Sequence, residues 1–492
     1  MRIYLLNPPF LSGFVRCGRW QGVTARGGTL DYPKWLAYTA GLLENEGNTV
    51  QLRDAVASKL SLADVLEEIK QFNPDIVIAE SNFSSLENDI GVLRAIKTNV
   101  NQKIMTILTG PPTAVYPEEI ISNDCVDILA RHEYDFVIAD LVRSIREQRS
   151  FDTVDGIWFK QDGTVKRNQD RKFSTSDELD TLPFVSEVYK KHLNIRDYYL
   201  SQSLYPEVQI FTGRGCPFLC SFCSWPENLM GRKLRFRSVE NIVAEFQYVV
   251  ENLPFVKEIF IEDDTFTLQK ERVRAFCNTL IEKKIRITWS CNARADLDSN
   301  TLFMMKKAGC RLIIVGYESG SDEILKSIKK GITIDQAKQF TRNAKKAGLL
   351  VHGDFIIGLP GETHETAQTT MDYINEIKPD IIQVAVATPI PGTAFYDYVK
   401  KNGYLLIDDM SESIDESGYQ KCIVSYPDFS KDDIESWVNK ILKSYYLNPR
   451  YVLTFLHGVV RGGGLEHAKC VFKAGFGFFN YIFEFGKKGS KI

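Results

Sequence analysis

The chain alternates short apolar runs with amphipathic segments, and it does so in two separate series. In the first series, four β-rich runs are predicted to be strands: Arg2–Leu6, Thr49–Arg53, Asp75–Ala79 and Lys103–Thr109. Helical patterns accompany them at Leu36–Glu46, Leu62–Phe72, Leu86–Thr98 and Tyr134–Glu147. Strands that alternate with helices predict a parallel, doubly wound α/β sheet, with ligands at the carboxyl ends of the strands.

The second series begins near Val208 and contains six strand-and-helix repeats. Its predicted strands are Val208–Thr212, Glu258–Ile261, Arg286–Ser290, Arg311–Gly316, Leu350–Ile357 and Ile381–Ala387. Helices are predicted between them at Val239–Glu251, Lys270–Lys283, Thr301–Ala308, Ile334–Ala347 and Glu365–Ile377. Six repeats with polar residues just after the strands predict a partial (β/α)6 barrel of the TIM type.

These patterns divide the 492 residues into four predicted regions. Residues 1–150 form a Rossmann-like domain, and residues 151–200 form a hairpin, with a turn at Gln161-Asp162-Gly163, followed by a polar linker. The barrel occupies residues 201–420, and residues 421–492 form a helical C-terminal region with a Phe-rich tail.

Composition excludes several classes of protein. A net charge of −3 argues against nucleic-acid binding through a broad basic face. No run approaches the roughly 20 apolar residues that span a bilayer, and the start, Met1–Phe10, is predicted to be a buried strand rather than a signal peptide. We therefore expect a cytoplasmic protein, with the tail, which carries Lys473, Lys487 and Lys488, as a candidate for peripheral membrane contact. The alternative for the tail is a helix packed on the barrel.

Three of the ten cysteines are grouped, in the segment Gly213-Arg214-Gly215-Cys216-Pro217-Phe218-Leu219-Cys220-Ser221-Phe222-Cys223. In a reducing cytosol such a group indicates metal or redox chemistry before disulfides. Four cysteines would close a 4Fe–4S cluster as an electron carrier, whereas three leave one iron open to a small molecule. A zinc site is the alternative, but it would want a fourth ligand at matched spacing.

The spacing Cys-x3-Cys-x2-Cys after the first barrel strand resembles the signature of radical S-adenosylmethionine (SAM) enzymes. The resemblance implies a 4Fe–4S cluster on Cys216, Cys220 and Cys223, and reductive cleavage of SAM to methionine and a 5′-deoxyadenosyl radical. It further implies roles in SAM binding for six residues: Phe222, Asp263, Asp264, Arg294, Glu318 and Ser319. Asp263 and Asp264 match the positions that bind the methionyl amine, although a solvated acidic turn is the simpler interpretation.

The later barrel loops also resemble that family, and the two histidines near them have a more ordinary explanation. The segments Gly358-Leu359-Pro360-Gly361-Glu362 and Thr388-Pro389-Ile390-Pro391-Gly392-Thr393 are similar to the loops on the adenine side of SAM. His352 and His364 flank barrel loops, where proton transfer is conceivable but packing is the default.

A doubly wound domain before such a barrel resembles the cobalamin-binding subfamily. Asn7-Pro8-Pro9 and Gly110-Pro111-Pro112 carry this likeness, and Asn7, Ser84 and Gly110 are the candidate cobalamin contacts. The Asp-x-His-x-x-Gly motif that supplies a histidine to cobalt in related domains is missing, so a vestigial or substrate-binding domain is the alternative.

The resemblance implies cobalamin-dependent methylation of an unactivated carbon in a small-molecule or lipid substrate. It also implies a protein reductant such as flavodoxin or ferredoxin. Tyr32-Pro33-Lys34-Trp35-Leu36-Ala37 and the Cys216 loop look most like the hopanoid and lipid-modifying branch. Two alternatives stay open: cobalamin-independent carbon–carbon bond formation on a lipid, and a non-catalytic cluster-carrying or cobalamin-binding protein. No catalytic hydrogen donor can be assigned from the sequence.

Overall fold

A computed structural model describes residues 1–16, 18 and 22–448. Its first sheet has seven strands, numbered in chain order: β1 (Arg2–Asn7), β2 (Thr49–Asp54), β3 (Ile76–Glu80), β4 (Met105–Thr109), β5 (Ile128–Ala130), β6 (Ile157–Gln161) and β7 (Thr164–Arg167). Their spatial order is β2-β1-β3-β4-β5-β6-β7, and the first five are parallel. The doubly wound sheet predicted from the sequence is therefore confirmed.

The helices of this half begin and end close to the predicted positions. They are α1 (Lys34–Asn45), α2 (Leu62–Phe72), α3 (Leu86–Asn99), α4 (Pro112–Val115), α5 (Pro117–Ser122) and α6 (Tyr134–Arg146). Helix α2 matches its prediction to the residue. The hydroxyl of Ser61 accepts a hydrogen bond from the Asp64 amide, and the Asp64 carboxylate accepts one from the Ser61 amide. Such a capping box marks a helix start locally, within four residues of sequence.

The predicted hairpin belongs to the first sheet. Strands β6 and β7 are joined by Asp162 and Gly163, which both have positive φ, as a two-residue hairpin turn requires. Strand β6 pairs antiparallel with β5, so the hairpin extends the sheet. The stretch predicted as a polar linker contains helix α7 (Ser176–Asp180), which has its own capping box, and α8 (Val185–His192) follows.

The second sheet has six parallel strands in consecutive order, which confirms the partial barrel. They are β8 (Glu207–Ile210), β9 (Glu258–Ile261), β10 (Thr288–Ala293), β11 (Cys310–Glu318), β12 (Leu350–Ile357) and β13 (Ile381–Val386). The helices around them are α9 (Val239–Asn252), α10 (Lys270–Glu282), α11 (Ser299–Lys307), α12 (Asp322–Ser327), α13 (Ile334–Lys346), α14 (His364–Ile377), α15 (Ala394–Lys401) and α16 (Lys431–Tyr446). No helix among the described residues is long and apolar enough to cross a membrane. The Phe-rich tail lies outside the described residues.

One hydrophobic core joins the two sheets. The ring of Tyr32 stacks between those of Tyr189 and Tyr198, with centroids 4.1 and 4.0 Å away, and its hydroxyl donates to the carbonyl of Glu207 at 2.7 Å. Lys34, at the start of α1, donates to the side chain of Gln209 in β8 at 2.8 Å. Because these aromatic and polar contacts are buried, the first domain is fixed against the start of the barrel.

Candidate active site

The three grouped cysteines lie on one loop after β8, and all three side chains are partly buried. Gly215, just before the first of them, has φ of +89°, and a Cβ there would lie 2.2 Å from the carbonyl oxygen of Lys233. Only glycine tolerates both that conformation and that approach. The amide of Ser221 donates to the carbonyl of Ile328 at 3.0 Å, which ties the loop to the segment after α12.

The start of this loop is anchored in the first domain. The guanidinium of Arg214 is buried and pairs with the carboxylate of Asp135, at the start of α6, at 2.5 Å. Its other face lies over the ring of Trp35, 4.3 Å from the centroid. Burial lowers the pKa of Arg214, but the charges of Asp135 and Glu133 outweigh that effect, so the pKa is raised and the guanidinium stays charged.

A buried ion pair adjoins the cysteine loop. Glu318, the last residue of β11, accepts a hydrogen bond from Lys330 through Oε1 at 2.6 Å. Burial lowers the pKa of Lys330, but the charges of Glu318 and Cys220 outweigh that effect and raise the pKa above its ordinary value. Lys330 lies two residues after Ile328, whose carbonyl accepts a hydrogen bond from Ser221 in the cysteine loop. Sequence reasoning missed Lys330, because nothing in its neighbourhood along the chain marks it.

The other carboxylate oxygen of Glu318 is buried and has no hydrogen-bond partner. Glu318 also has φ of +65°, an uncommon conformation for a residue with a side chain. Gly316 makes the room: a Cβ there would lie 2.3 Å from Glu318 Oε1 and 2.9 Å from Lys330 Nζ. A strained, half-satisfied buried carboxylate is typical of a binding site for a group with N–H donors.

The three acidic residues in the turn after β9, Glu262, Asp263 and Asp264, differ in their burial and in their contacts. The carboxylate of Asp263 is engaged inside the protein, because the amide and hydroxyl of Thr212 donate to it at 2.6 and 2.5 Å. Burial raises the pKa of Asp263 above its ordinary value, although Arg272 and Thr212 act against that rise. Asp264 is partly buried, whereas Glu262 lines the barrel cavity. Roles for Asp263 and Asp264 in SAM binding stay predictions.

Arg294 and Ser319 contact different parts of the barrel rim. The guanidinium of Arg294 lies over the ring of Phe218 in the cysteine loop, 3.4 Å from the centroid, and donates to the carbonyl of Lys330 at 3.0 Å. The hydroxyl of Ser319 lies 3.2 Å from that of Thr370 in α14. Arg294 is thus brought to the cysteine loop, whereas Ser319 fixes the turn after β11 to the outer layer of helices.

A cavity of about 250 Å³ runs inside the barrel. Near the cysteine loop its wall includes Phe222, Glu262, Asn292 and Glu318, and the predicted adenine-side loops contribute Leu359, Thr388 and Ile390. His352 and Gln383 lie deeper along β12 and β13. Residues of the first domain close one side, among them Val15, Val23 and Thr29. The cavity therefore joins the predicted SAM residues to a second, deeper region.

At the carboxyl edge of the first sheet, the candidate cobalamin contacts bind other parts of the protein. Asn7 donates to Asp54 Oδ1 at 2.9 Å, and the hydroxyl of Ser84 donates to the carbonyl of Gly22 at 2.8 Å. Gly110 has φ of +103°, and a Cβ there would lie 2.2 Å from the carbonyl oxygen of Ser81. The Ser84 contact holds the segment before α1 on the strand ends, whereas Asn7 joins the ends of β1 and β2. Direct contact with cobalamin stays a prediction for all three.

Comparisons with known proteins assign the class of this chain. Residues 210–374 match the model of the radical SAM superfamily, and residues 21–139 match that of the B12-binding domain. The chain is 30% identical over 457 residues to an uncharacterized methyltransferase of Pyrococcus horikoshii, covering 92% of this chain and 94% of that protein. The protein is a radical SAM enzyme. It belongs to the methyltransferases that carry a B12-binding domain.

Two further similarities agree with that assignment. The fold matches the radical SAM methyltransferase TsrM from Kitasatospora setae with a TM-score of 0.72 and 14% identity, covering 96% of this chain and 98% of that one. The hopanoid C-3 methylase of Methylococcus capsulatus is 25% identical over 368 residues, covering 73% of this chain and 67% of that protein. The predicted resemblance to the hopanoid branch is therefore confirmed, and the similar protein in that branch is a methylase.

The residues at the cavity fit the implied cofactors, SAM, the iron–sulfur cluster and cobalamin, to different degrees. The free oxygen of Glu318 beside the cysteine loop fits the ammonium group of SAM, and three thiols on one loop fit a cluster with one open iron. Among the described residues, no group of three or more metal-binding side chains is preassembled, so cluster ligation by Cys216, Cys220 and Cys223 stays a prediction. The cavity, at about 250 Å³, lies just below the usual range of ligand-pocket volumes, roughly 300–1,000 Å³, and cannot also hold a corrin ring. Family membership, and not this geometry, assigns cobalamin to the chain.

Proposed function

We propose that this enzyme transfers a methyl group from SAM to an unactivated carbon of a small molecule. The observation that carries the proposal is the cavity itself. It places a buried, half-satisfied carboxylate beside a three-cysteine loop, in a chain that joins a radical SAM barrel to a B12-binding domain. When bound, the cluster and SAM supply a 5′-deoxyadenosyl radical for hydrogen abstraction, and cobalamin supplies the methyl group.

The protein's own residues bind, orient and exclude water. Cys216, Cys220 and Cys223 hold the cluster, and the tight turn at Gly215 presents their loop to the barrel mouth. Glu318 accepts hydrogen bonds from the methionyl ammonium, while Lys330 keeps its other oxygen fixed. Arg294 braces the loop through Phe218, and Phe222 lines the cavity beside the cysteines. The apolar side chains of the cavity wall, among them Phe260, Ile314 and Phe355, limit the access of water to a reactive radical.

The reaction requires an external electron, and we propose that a flavodoxin or ferredoxin supplies it. We also propose that Asp263 and Asp264 keep the methionyl end of the site in place through the turn that they share with Glu262. Asn7, Ser84 and Gly110 support cobalamin by holding the strand-end segment of the first domain.

The test uses the full chain, reconstituted anaerobically with iron, sulfide and methylcobalamin and then reduced in the presence of SAM. We expect both 5′-deoxyadenosine and S-adenosylhomocysteine by chromatography, because one SAM is cleaved to the radical and another donates its methyl group. Formation of deoxyadenosine alone would favour the cobalamin-independent coupling reaction on a lipid. If a strong reductant produced neither nucleoside, the protein would be a non-catalytic carrier and the proposal would be wrong.

A further inference from the structure

A histidine lies in the deeper half of the barrel cavity, away from the cysteine loop. His352 is the third residue of β12, and its side chain faces the barrel interior between Ile314 of β11 and Ile381 of β13, its partners in the strand register. The residue is 4% exposed and lines the cavity. The sequence predicted the strand that contains His352 and assigned the side chain to packing, whereas the structure places that side chain in the wall of the cavity.

Neither ring nitrogen of His352 has a hydrogen-bond partner. Nε2 lies 3.3 Å from Oδ1 of Asp354, a distance that would suit an ion pair. Burial lowers the pKa of His352 to about 4, however, so the imidazole is neutral at neutral pH and the contact is not a salt bridge. A buried polar ring without partners carries its full desolvation cost, and in native proteins such groups indicate a functional site or a ligand.

The surroundings define what such a ligand would look like. A neutral imidazole offers one N–H donor and one nitrogen acceptor. Gln383, on the neighbouring strand, lines the same cavity and offers an amide with both kinds of group. Phe260, Ile314 and Phe355 supply apolar walls nearby. None of these five groups carries a charge, and the one acidic side chain beside them, Asp354, which is the register partner of Gln383, would repel an anion. The region therefore suits an uncharged polar group attached to an apolar body.

We propose that His352 and Gln383 form a recognition site for a hydroxyl or carboxamide group of the substrate. This inference rests on the proposed function, because the bound molecule would be the one that is methylated. The ligand group must both donate and accept a hydrogen bond in order to satisfy the imidazole. Phosphate, phosphonate and carboxylate groups are disfavoured, since a neutral ring cannot neutralise an anion that is taken out of water.

The experiment uses two probes of nearly the same size and shape, benzamide and benzoate. Binding to the cluster-containing enzyme is measured by saturation-transfer NMR with excess S-adenosylhomocysteine, which fills the SAM region. We expect benzamide to bind with a Kd of about 10 mM or below, the affinity expected of so few atoms. Benzoate should bind at least about tenfold more weakly. Equal binding of the two probes, or no binding of benzamide at that concentration, would overturn the inference.

Variants assign the effect to the histidine. His352→Phe keeps a planar ring and removes both polar atoms, so benzamide binding should weaken about tenfold, as for one lost hydrogen bond. His352→Gln restores a donor and an acceptor and should recover part of the affinity. His364→Phe, a change at an exposed histidine on α14, is the matched control and should bind benzamide like the unaltered enzyme. If His352→Phe and the control bind alike, the assignment is wrong.

A second readout separates this inference from the proposed function. Deoxyadenosine formation from SAM is measured for the unaltered enzyme and for the His364→Phe control, both of which should show it. The visible iron–sulfur absorption of His352→Phe shows separately that this variant is folded. Selective benzamide binding without any SAM cleavage would leave the recognition site standing and refute the proposed reaction. SAM cleavage without a preference for benzamide over benzoate would support the proposed reaction and refute the recognition site.

Discussion

The carboxyl edges of the two parallel sheets have opposite characters. At the edge of the first sheet, the buried guanidinium of Arg16 donates to Asp89 at 2.8 and 3.1 Å and to the side chains of Asn7 and Ser85, so the charged and polar groups satisfy one another. In the barrel, Glu318 at the carboxyl end of β11 has a buried oxygen without a partner, and His352, deeper in the barrel near the start of β12, has two such ring nitrogens; both residues line the cavity. Parallel strand ends are general ligand sites. One oxygen of Glu80, at the end of β3, is also buried without a partner. Among the described residues, however, Glu80 does not line the barrel cavity, whereas Glu318 and His352 do, which indicates where the small molecules bind.

The largest expected effect falls on the cysteine loop. Replacing Cys220 by Ala should abolish the visible iron–sulfur absorption of the reconstituted enzyme and all deoxyadenosine formation, because a cluster with two protein ligands is not held. Cys125→Ala, at a buried cysteine of the first domain, is the control and should keep both. An intact cluster in the Cys220 variant would show that the loop does not bind iron and would remove the main contrast between the two edges.

Breaking the buried Arg16 network at the edge of the first sheet should lower the stability of the protein. Arg16→Met leaves Asp89 buried without its charge partner, and removal of one member of a buried pair costs about 3–5 kcal/mol of unfolding free energy. Arg149→Met breaks the exposed pair with Glu147 and should cost no more than about 1 kcal/mol. Urea unfolding measures both. Similar losses of unfolding free energy in the two variants would mean that the Arg16 network is accessible to solvent rather than buried.

One buried carboxyl group at each edge should make the stability of the protein depend on pH in the same direction. Burial raises the pKa of Glu80, at the end of β3, and of Glu362, in the loop after β12, from 4.5 to about 7. Between those values the folded state binds more protons than the unfolded state, so stability falls as the pH rises. Each residue should contribute a loss of about 3 kcal/mol.

The corresponding variants test this directly by urea unfolding at pH 5 and pH 8. Glu80→Gln and Glu362→Gln each mimic the neutral acid, so each should reduce the loss between the two pH values. A variant whose pH dependence equals that of the unaltered protein would show that its carboxyl is ionised in the folded state.

The smallest expected effect concerns Glu318, whose carboxylate has one buried oxygen without a partner. Glu318→Gln keeps an acceptor for Lys330 but removes the charge offered to the methionyl ammonium. Hydrogen bonds to charged groups contribute about 1.5–3 kcal/mol, so SAM should bind roughly ten- to a hundredfold more weakly. Equilibrium dialysis with SAM measures this, and Glu227→Gln, an exposed carboxylate, is the control. Unchanged SAM affinity would place the ammonium elsewhere and weaken the contrast with the first sheet.

Local sequence patterns predicted the elements well because their causes are local. The capping box at Ser61 and Asp64 starts α2 where it was expected, and Asp162-Gly163 adopts the turn that its residue types favour. The pairing of that hairpin with β5 was not predicted, since it depends on residues more than twenty positions away in the chain. The grouped cysteines were found for the same local reason, as three residues on one short loop.

The partners of the site residues depended on the fold. The role of Asp263 in SAM binding stays a prediction, but the sequence did not show that Thr212, 51 residues earlier, reaches its carboxylate from the neighbouring strand. Lys330 carried no signal in the sequence, and His352 was noted there but assigned to packing, because a buried ion pair and an unpartnered ring exist only once distant strands and loops are packed together. The sequence by itself determined the α/β repeats, the cysteine loop and the family. Only the tertiary structure decided which polar groups are satisfied internally and which stay available, because hydrogen bonding in a buried site depends on neighbours that are far apart in the chain.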